Sequence, residues 1–188
     1  MQNVYLNFFS DSKMPPKAVK PRKVKGCLVF KDFPEFKPHH TPSEVFKMGA
    51  FGGTYWRPIK SKFFSKKLSG YHKNYPAEWW KGLPESHLTS PNYDVNVNKY
   101  KAKCGASLEE WESKDWIKKS HPYGWFHWYC DFYQGKRCSD DERQIGRWLK
   151  LAGPKGRFRK WLITQITKKG GKWDDTKTSP AIRQTLLH

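Results

Sequence analysis

The run HPYGWFHWYCDFYQG, His121 to Gly135, decides the fold. Pro122 opens it, and Trp125, Phe126, Trp128, Tyr129, Phe132 and Tyr133 occupy almost every direction around a helical axis before Gly135 ends it. A helix that is apolar on all sides lies inside a molecule, so the rest of the chain is expected to wrap around this one.

Downstream, Ser139-Asp140-Asp141-Glu142 reads as a capping pattern whose acids suit a positive helix start. Ile145, Trp148, Leu149 and Ala152 then repeat at three and four residues, while Arg143, Arg147 and Lys150 do the same on another face. Gly153-Pro154-Lys155-Gly156 breaks that helix. A second stripe follows, formed by Phe158, Trp161, Leu162 and Ile166 and bordered by Arg157, Arg159, Lys160, Lys168 and Lys169. Ser179-Pro180 starts a final helix that Ile182, Leu186 and Leu187 can dock.

Upstream, the signals are shorter. Ser107-Leu108-Glu109-Glu110 and Thr41-Pro42-Ser43-Glu44 are capping boxes, the latter followed by Val45, Phe46 and Met48 and stopped by Gly49. Three glycines fall between Gly49 and Gly53, ahead of the bulky run Thr54-Tyr55-Trp56-Arg57-Pro58-Ile59, so the chain turns tightly there. Pro76 can begin a short helix through Trp79 and Trp80, residues 82–101 read as loop with short strands around Tyr93 and Val95, and Cys27-Leu28-Val29-Phe30 suits a strand. The expected fold is a mainly α single domain over 26–188, with α+β as the variant. It has a helical C-terminal half and a small extended or β-hairpin element in the N-terminal half. Residues 1–25, with Pro15, Pro16, Pro21 and a run of cations, read as a flexible basic arm. The expected core is Trp111, Trp125, Phe126, Trp128, Tyr129, Phe132, Ile145, Trp148, Leu149, Trp161 and Leu162.

Charge bounds the partner. The chain of 188 residues carries 36 Lys and Arg against 17 Asp and Glu, a formal +19, with ten Trp, nine Tyr and twelve Phe among them. Cations concentrate polyanions and release their counterions, and exposed aromatic planes stack on bases, so DNA or RNA is the expected partner. No run is long enough to span a membrane and no secretory leader is legible, so the protein is expected to be intracellular, in a nucleus or a virion. Cys27, Cys104, Cys130 and Cys138 are scattered and expected to stay reduced.

The helix pair from Asp140 to Lys169 is the leading binding feature. Arg143, Arg147, Lys150, Arg157, Arg159 and Lys160 are the expected phosphate contacts, and the short turn also permits a helix-turn-helix presenting Arg157, Arg159, Lys160 and Gln165. Arg57 is a further ligand candidate, whereas its neighbours Tyr55 and Trp56 are expected in the core. His127, Cys130 and Cys138 with His121 suggest zinc, but no CxxC pair supports it and neither metal nor cofactor is expected. His127 and Asp131, one turn apart, form either an oriented base or a surface ion pair. No Walker loop, HExxH, deaminase signature or nucleophile elbow is present. An enzyme acting on nucleic acid through His127 and Asp131, or an acid near Glu109, is the first alternative. A structural virion or ribonucleoprotein component is the second.

Three motifs, Gly49 to Ile59, His121 to Cys130 and Asp140-Asp141-Glu142-Arg143-Gln144-Ile145, together resemble a family of uncharacterised proteins of large DNA viruses, algae and fungi. The resemblance runs from about Phe36 to His188. It implies a viral or eukaryotic source and carries over no catalytic residue.

Overall fold

A computed structural model describes residues 20–188. The architecture is mainly α: a two-stranded antiparallel hairpin, β1 (Arg22–Val24) and β2 (Cys27–Val29), precedes six helices. These are α1 (Pro42–Met48), α2 (Leu108–Ser113), α3 (Trp125–Tyr133), α4 (Asp141–Leu151), α5 (Arg157–Lys168) and α6 (Pro180–Leu187).

The all-round apolar segment is α3, and it is the axis of the core. Phe126, His127, Trp128, Tyr129, Cys130 and Phe132 are all buried. Its start has no capping side chain of its own, because Gly124 stands at the N-cap with φ 85°. The Tyr55 hydroxyl supplies the missing acceptor: the His127 N–H donates to it at 2.7 Å, and it donates in turn to the Tyr123 carbonyl at 2.7 Å. Tyr55→Phe strands two buried backbone groups, each costing about 1–3 kcal/mol when unpaired. A loss of about 2 kcal/mol in urea denaturation, with unchanged m-value, is the expected outcome.

Around α3 the packing is aromatic. Phe36, fully buried in the loop between β2 and α1, sees the rings of Phe30, Trp125, Trp128, Tyr129, Phe132 and Trp148 at centroid distances between 5.0 and 6.2 Å. Phe46 of α1 packs on Phe126 at 5.4 Å. The helix α1 has the reciprocal box its sequence announces, Thr41 capping Glu44 N and Glu44 returning to Thr41 N. Tyr55 and Trp56 are in the core, Trp56 with no exposed surface.

The glycine cluster is a hub between distant backbone segments. The Gly49 carbonyl accepts from Lys99 N at 2.9 Å and from the buried Gln184 amide at 3.0 Å, and Gly53 O accepts from Ser90 N at 3.0 Å. Asn98, fully buried, closes the hub by accepting from Gly52 N at 2.8 Å.

Several expectations need correction. Ordered structure begins before Gly26: Arg22–Val24 pair with Cys27–Val29 around a turn in which Lys25 and Gly26 both have positive φ. The remainder of the expected arm, residues 1–19, lies outside the described residues. No strand forms at Tyr93 or Val95. Asp94 caps Asn96 N instead, at 2.8 Å, and starts a single 3-10 turn. At α4 the N-cap is Asp140, and its carboxylate holds Arg143 and Gln144 instead of the helix N–H groups. Asp141, 4% exposed, takes the buried role, accepting from Trp128 Nε1 at 2.7 Å and from Cys138 N at 3.0 Å.

The largest miss is α5. None of its residues is buried: Trp161 is 55% exposed, Leu162 is only partly buried, and both leave the expected core. Leu162 and Ile166 of the stripe, with Ile163, line a groove of about 510 Å³ between α5, α6 and the core. Trp111, Trp125, Trp148 and Leu149 are partly buried against the core as expected.

Candidate nucleic-acid interface and an adjoining polar cleft

The cations divide by what they touch. On α4, Arg143 is held by Asp140, with Nη2 on Oδ2 at 2.6 Å, and also reaches the Trp116 carbonyl at 3.5 Å. One turn on, the Arg147 guanidinium lies 5.1 Å over the Trp116 ring, and Lys114 lies 5.0 Å over the same ring. Burial, and then the neighbouring Arg143 charge, pull the Arg147 guanidinium below its usual pKa. Trp116 itself is 40% exposed, an indole framed by cations at the surface.

Lys150, Arg157, Arg159 and Lys160 are exposed, and among the described residues none of them is in an ion pair. Arg157 and Lys160, three apart, share a face of α5, while Arg159 lines the apolar groove. Arg57 is half-buried on a separate element, its Nη1 on the Thr54 carbonyl at 3.1 Å. The structure therefore groups Arg143 and Arg147 around Trp116 and leaves Arg57 apart.

From Trp116 the chain runs through Ile117, Lys118 and Lys119 into a tight turn that ends with His121 N donating to Lys118 O at 3.0 Å. Beyond that turn opens a cleft of about 590 Å³, lined by Tyr71, Lys73, Tyr75, Ser120, His127, Asp131 and Lys136 among others. Asp131 Oδ1 accepts from the Tyr75 hydroxyl and from Lys136 Nζ, both at 2.9 Å. Its Oδ2 is 3.6 Å from His121 Nε2, within ion-pair range and longer than a hydrogen bond. Burial pushes the Asp131 carboxyl up, but His121 and Lys136 outweigh that push and hold it at about 2. Burial, reinforced by His121, drops His127 to about 3, so this imidazole is neutral at pH 7.

The suggested His127–Asp131 base is thus corrected. Both residues line the cleft, yet the imidazole facing the carboxylate is His121, and the rings of Trp56, Tyr71 and Tyr123 crowd His127 at 5.3 to 5.9 Å. Glu109 sits on α2, exposed. Among the described residues no group of three or more His, Cys, Asp or Glu side chains is placed to hold a metal ion. Sequence reasoning passed over Trp116 as a surface residue, and over Ser120 and Lys136; Tyr71 and Tyr75 were legible only as part of the alternating cations and aromatics between Arg57 and Lys81. The one local signal was Lys118-Lys119-Ser120-His121, a cationic pair running into a hydroxyl and an imidazole.

Searches against family models, curated proteins and solved structures return no match for this chain. Among the described residues no helix is long and apolar enough to cross a membrane.

Proposed function

We propose that this protein binds nucleic acid, DNA or RNA, with little dependence on base sequence. The observation that carries the reading is the exposed Trp116 ring with Arg147 and Lys114 over it and Arg143 beside it. Stacking planes beside cations suit a strand whose bases and phosphates alternate. The exposed cations Lys150, Arg157, Arg159 and Lys160 extend that charge, and Arg143, Arg147 and Arg57 supply partly engaged guanidinium groups. A nuclear or virion location belongs to the same reading and rests on the same charge.

The test is a titration of single- and double-stranded DNA and RNA from 50 to 200 mM salt, read by fluorescence anisotropy. A variant with Lys150, Arg157, Arg159 and Lys160 all changed to Gln alters only exposed side chains and is expected to fold. On duplex DNA its slope of log affinity against log salt should shrink by about 0.9 for each phosphate contact removed. An unchanged slope in the folded variant rejects the α4–α5 face.

A second reading, an enzyme acting on nucleic acid, is favoured by one observation: His127 and Asp131 line a common cleft with an exposed serine hydroxyl.

A further inference from the structure

Ser120 stands at the end of a chain of three polar side chains that begins at a partly buried carboxylate, Asp131. Asp131 Oδ2 is 3.6 Å from His121 Nε2, and His121 Nδ1 is 3.0 Å from Ser120 Oγ. The imidazole side chain is 7% exposed and the carboxylate 18%, whereas Ser120 is exposed at a turn and lines the cleft. The other carboxylate oxygen carries the Tyr75 hydroxyl and the Lys136 ammonium, which fix its orientation from a separate side.

The order of contacts sets the protons. An ionised carboxylate beside Nε2 favours the tautomer with its hydrogen there, which leaves Nδ1 as an acceptor for the serine proton. A hydroxyl so placed is an activated nucleophile, with the two ring nitrogens used in the opposite order from the Ser-His-Asp arrangement of serine proteases.

A purely structural network does not require the serine. Asp131 already joins α3 to the Tyr75 segment and, through His121, to the turn after Ile117. The same cleft also contains a group that packing alone does not explain. His127 is 4% exposed, and its Nδ1 has no hydrogen-bond partner among the described residues.

The electrophile is identified by charge. Lys118 and Lys119 are exposed immediately ahead of Ser120, Lys73 and Lys136 line the cleft, and Trp116 with its cations lies on the same segment of chain. Asp140, at the start of α4, lies within electrostatic reach of His121, so the basic face of α4 and the relay are neighbours. An anionic ester belongs there.

We propose that Ser120 is a nucleophile toward a phosphodiester of bound nucleic acid, with His121 as its base and Asp131 as the residue that positions His121. This rests on the nucleic-acid reading above. Ser120 Oγ forms a bond to phosphorus as the bond from phosphorus to the departing sugar oxygen breaks. The serine proton moves to His121 Nδ1 and from there to that oxygen. Water then attacks the phosphoseryl ester, losing a proton to Nδ1, and Oγ leaves and recovers it. The sum is one phosphodiester and one water giving a phosphomonoester and an alcohol. Neutral His127 has one N–H to offer a non-bridging oxygen.

The experiment uses DNA and RNA oligonucleotides with a sulfur in the bridging 5′ position, a leaving group that departs readily and does not return. The wild-type protein is expected to form an adduct that survives denaturation and maps by mass spectrometry to Ser120. Ser120→Ala, a change at an exposed position, should fold, bind with unchanged affinity and give no adduct. In Asp131→Asn, adduct formation should slow by about 100-fold or more and its pH profile should shift, as expected when the base loses its orienting charge. A far-UV spectrum and thermal melt show whether that variant is folded, and Ser120→Ala remains decisive if it is not. Binding with neither an adduct nor strand cleavage, or either of these persisting in Ser120→Ala, overturns the proposal alone. No binding of any oligonucleotide at low salt overturns both this proposal and the nucleic-acid reading.

Discussion

Gly49→Ala is expected to leave the chain without a stable folded state. The residue has φ 95°, and a Cβ there would lie 2.2 Å from Val97 O and 3.0 Å from Lys99 N. Both neighbours are main chain, and the approach is fixed by the hydrogen bonds that Lys99 N and Gln184 make to the Gly49 carbonyl. A left-handed conformation costs a non-glycine residue about 1–2 kcal/mol before any overlap is counted. Relieving the overlap breaks the pairing of α1 with residues 97–99 and releases α6. The combined loss, above about 4 kcal/mol, is a large fraction of the roughly 5–15 kcal/mol that holds an ordinary domain together. Loss of the cooperative thermal transition, or loss of soluble protein on expression, is the measurement. A variant that melts within a few degrees of the parent contradicts the hub.

Phe36→Ala should be the most damaging core truncation. The ring is fully buried and meets six others, from Phe30 just after β2, from α3 and from α4, so it fills the space where these elements converge. Phe to Ala in such a place costs about 3–5 kcal/mol, the transfer energy plus a cavity that rigid rings cannot collapse into. Urea denaturation gives the number. Glu35→Ala, next door and exposed, should change stability by less than about 0.5 kcal/mol. Equal effects at the two positions would mean that the loop is not seated as described.

Phe36 also shows where sequence reading stops. It belongs to no periodic stripe, and its neighbours Lys31, Asp32, Glu35 and Lys37 are charged, so nothing local marks it as interior. By contrast α3 was legible because bulky rings at every angle have only one place to go. The α1 start was legible because a capping box is a contact between residues three apart. The glycines after Met48 announced a tight turn, but the backbone segments they let in come from residues 86 and 97, and no pattern within the cluster names those partners. For α5 the period was right and the inference wrong. An apolar stripe states that a face prefers cover, not that the core supplies it.

The candidate site divides the same way. Cationic periodicity on α4 placed Arg143 and Arg147 on a common face, and they do share one. It could not show that Asp140 would hold the first, or that Trp116 would come under the second. The His127–Asp131 spacing pointed to the correct cleft and the wrong imidazole. His121 reaches Asp131 only because the turn after Ile117 folds back on α3.

The hydroxyl that starts α3 comes from a residue 72 positions earlier. Among the described residues the most buried helix therefore has no side-chain cap of its own. Its first turn gains this hydroxyl only when the segment carrying Tyr55 packs against it, so the start of the central helix couples the two halves of the chain. A ribosome that has released only the first hundred residues has made the lid of this core before its pillar.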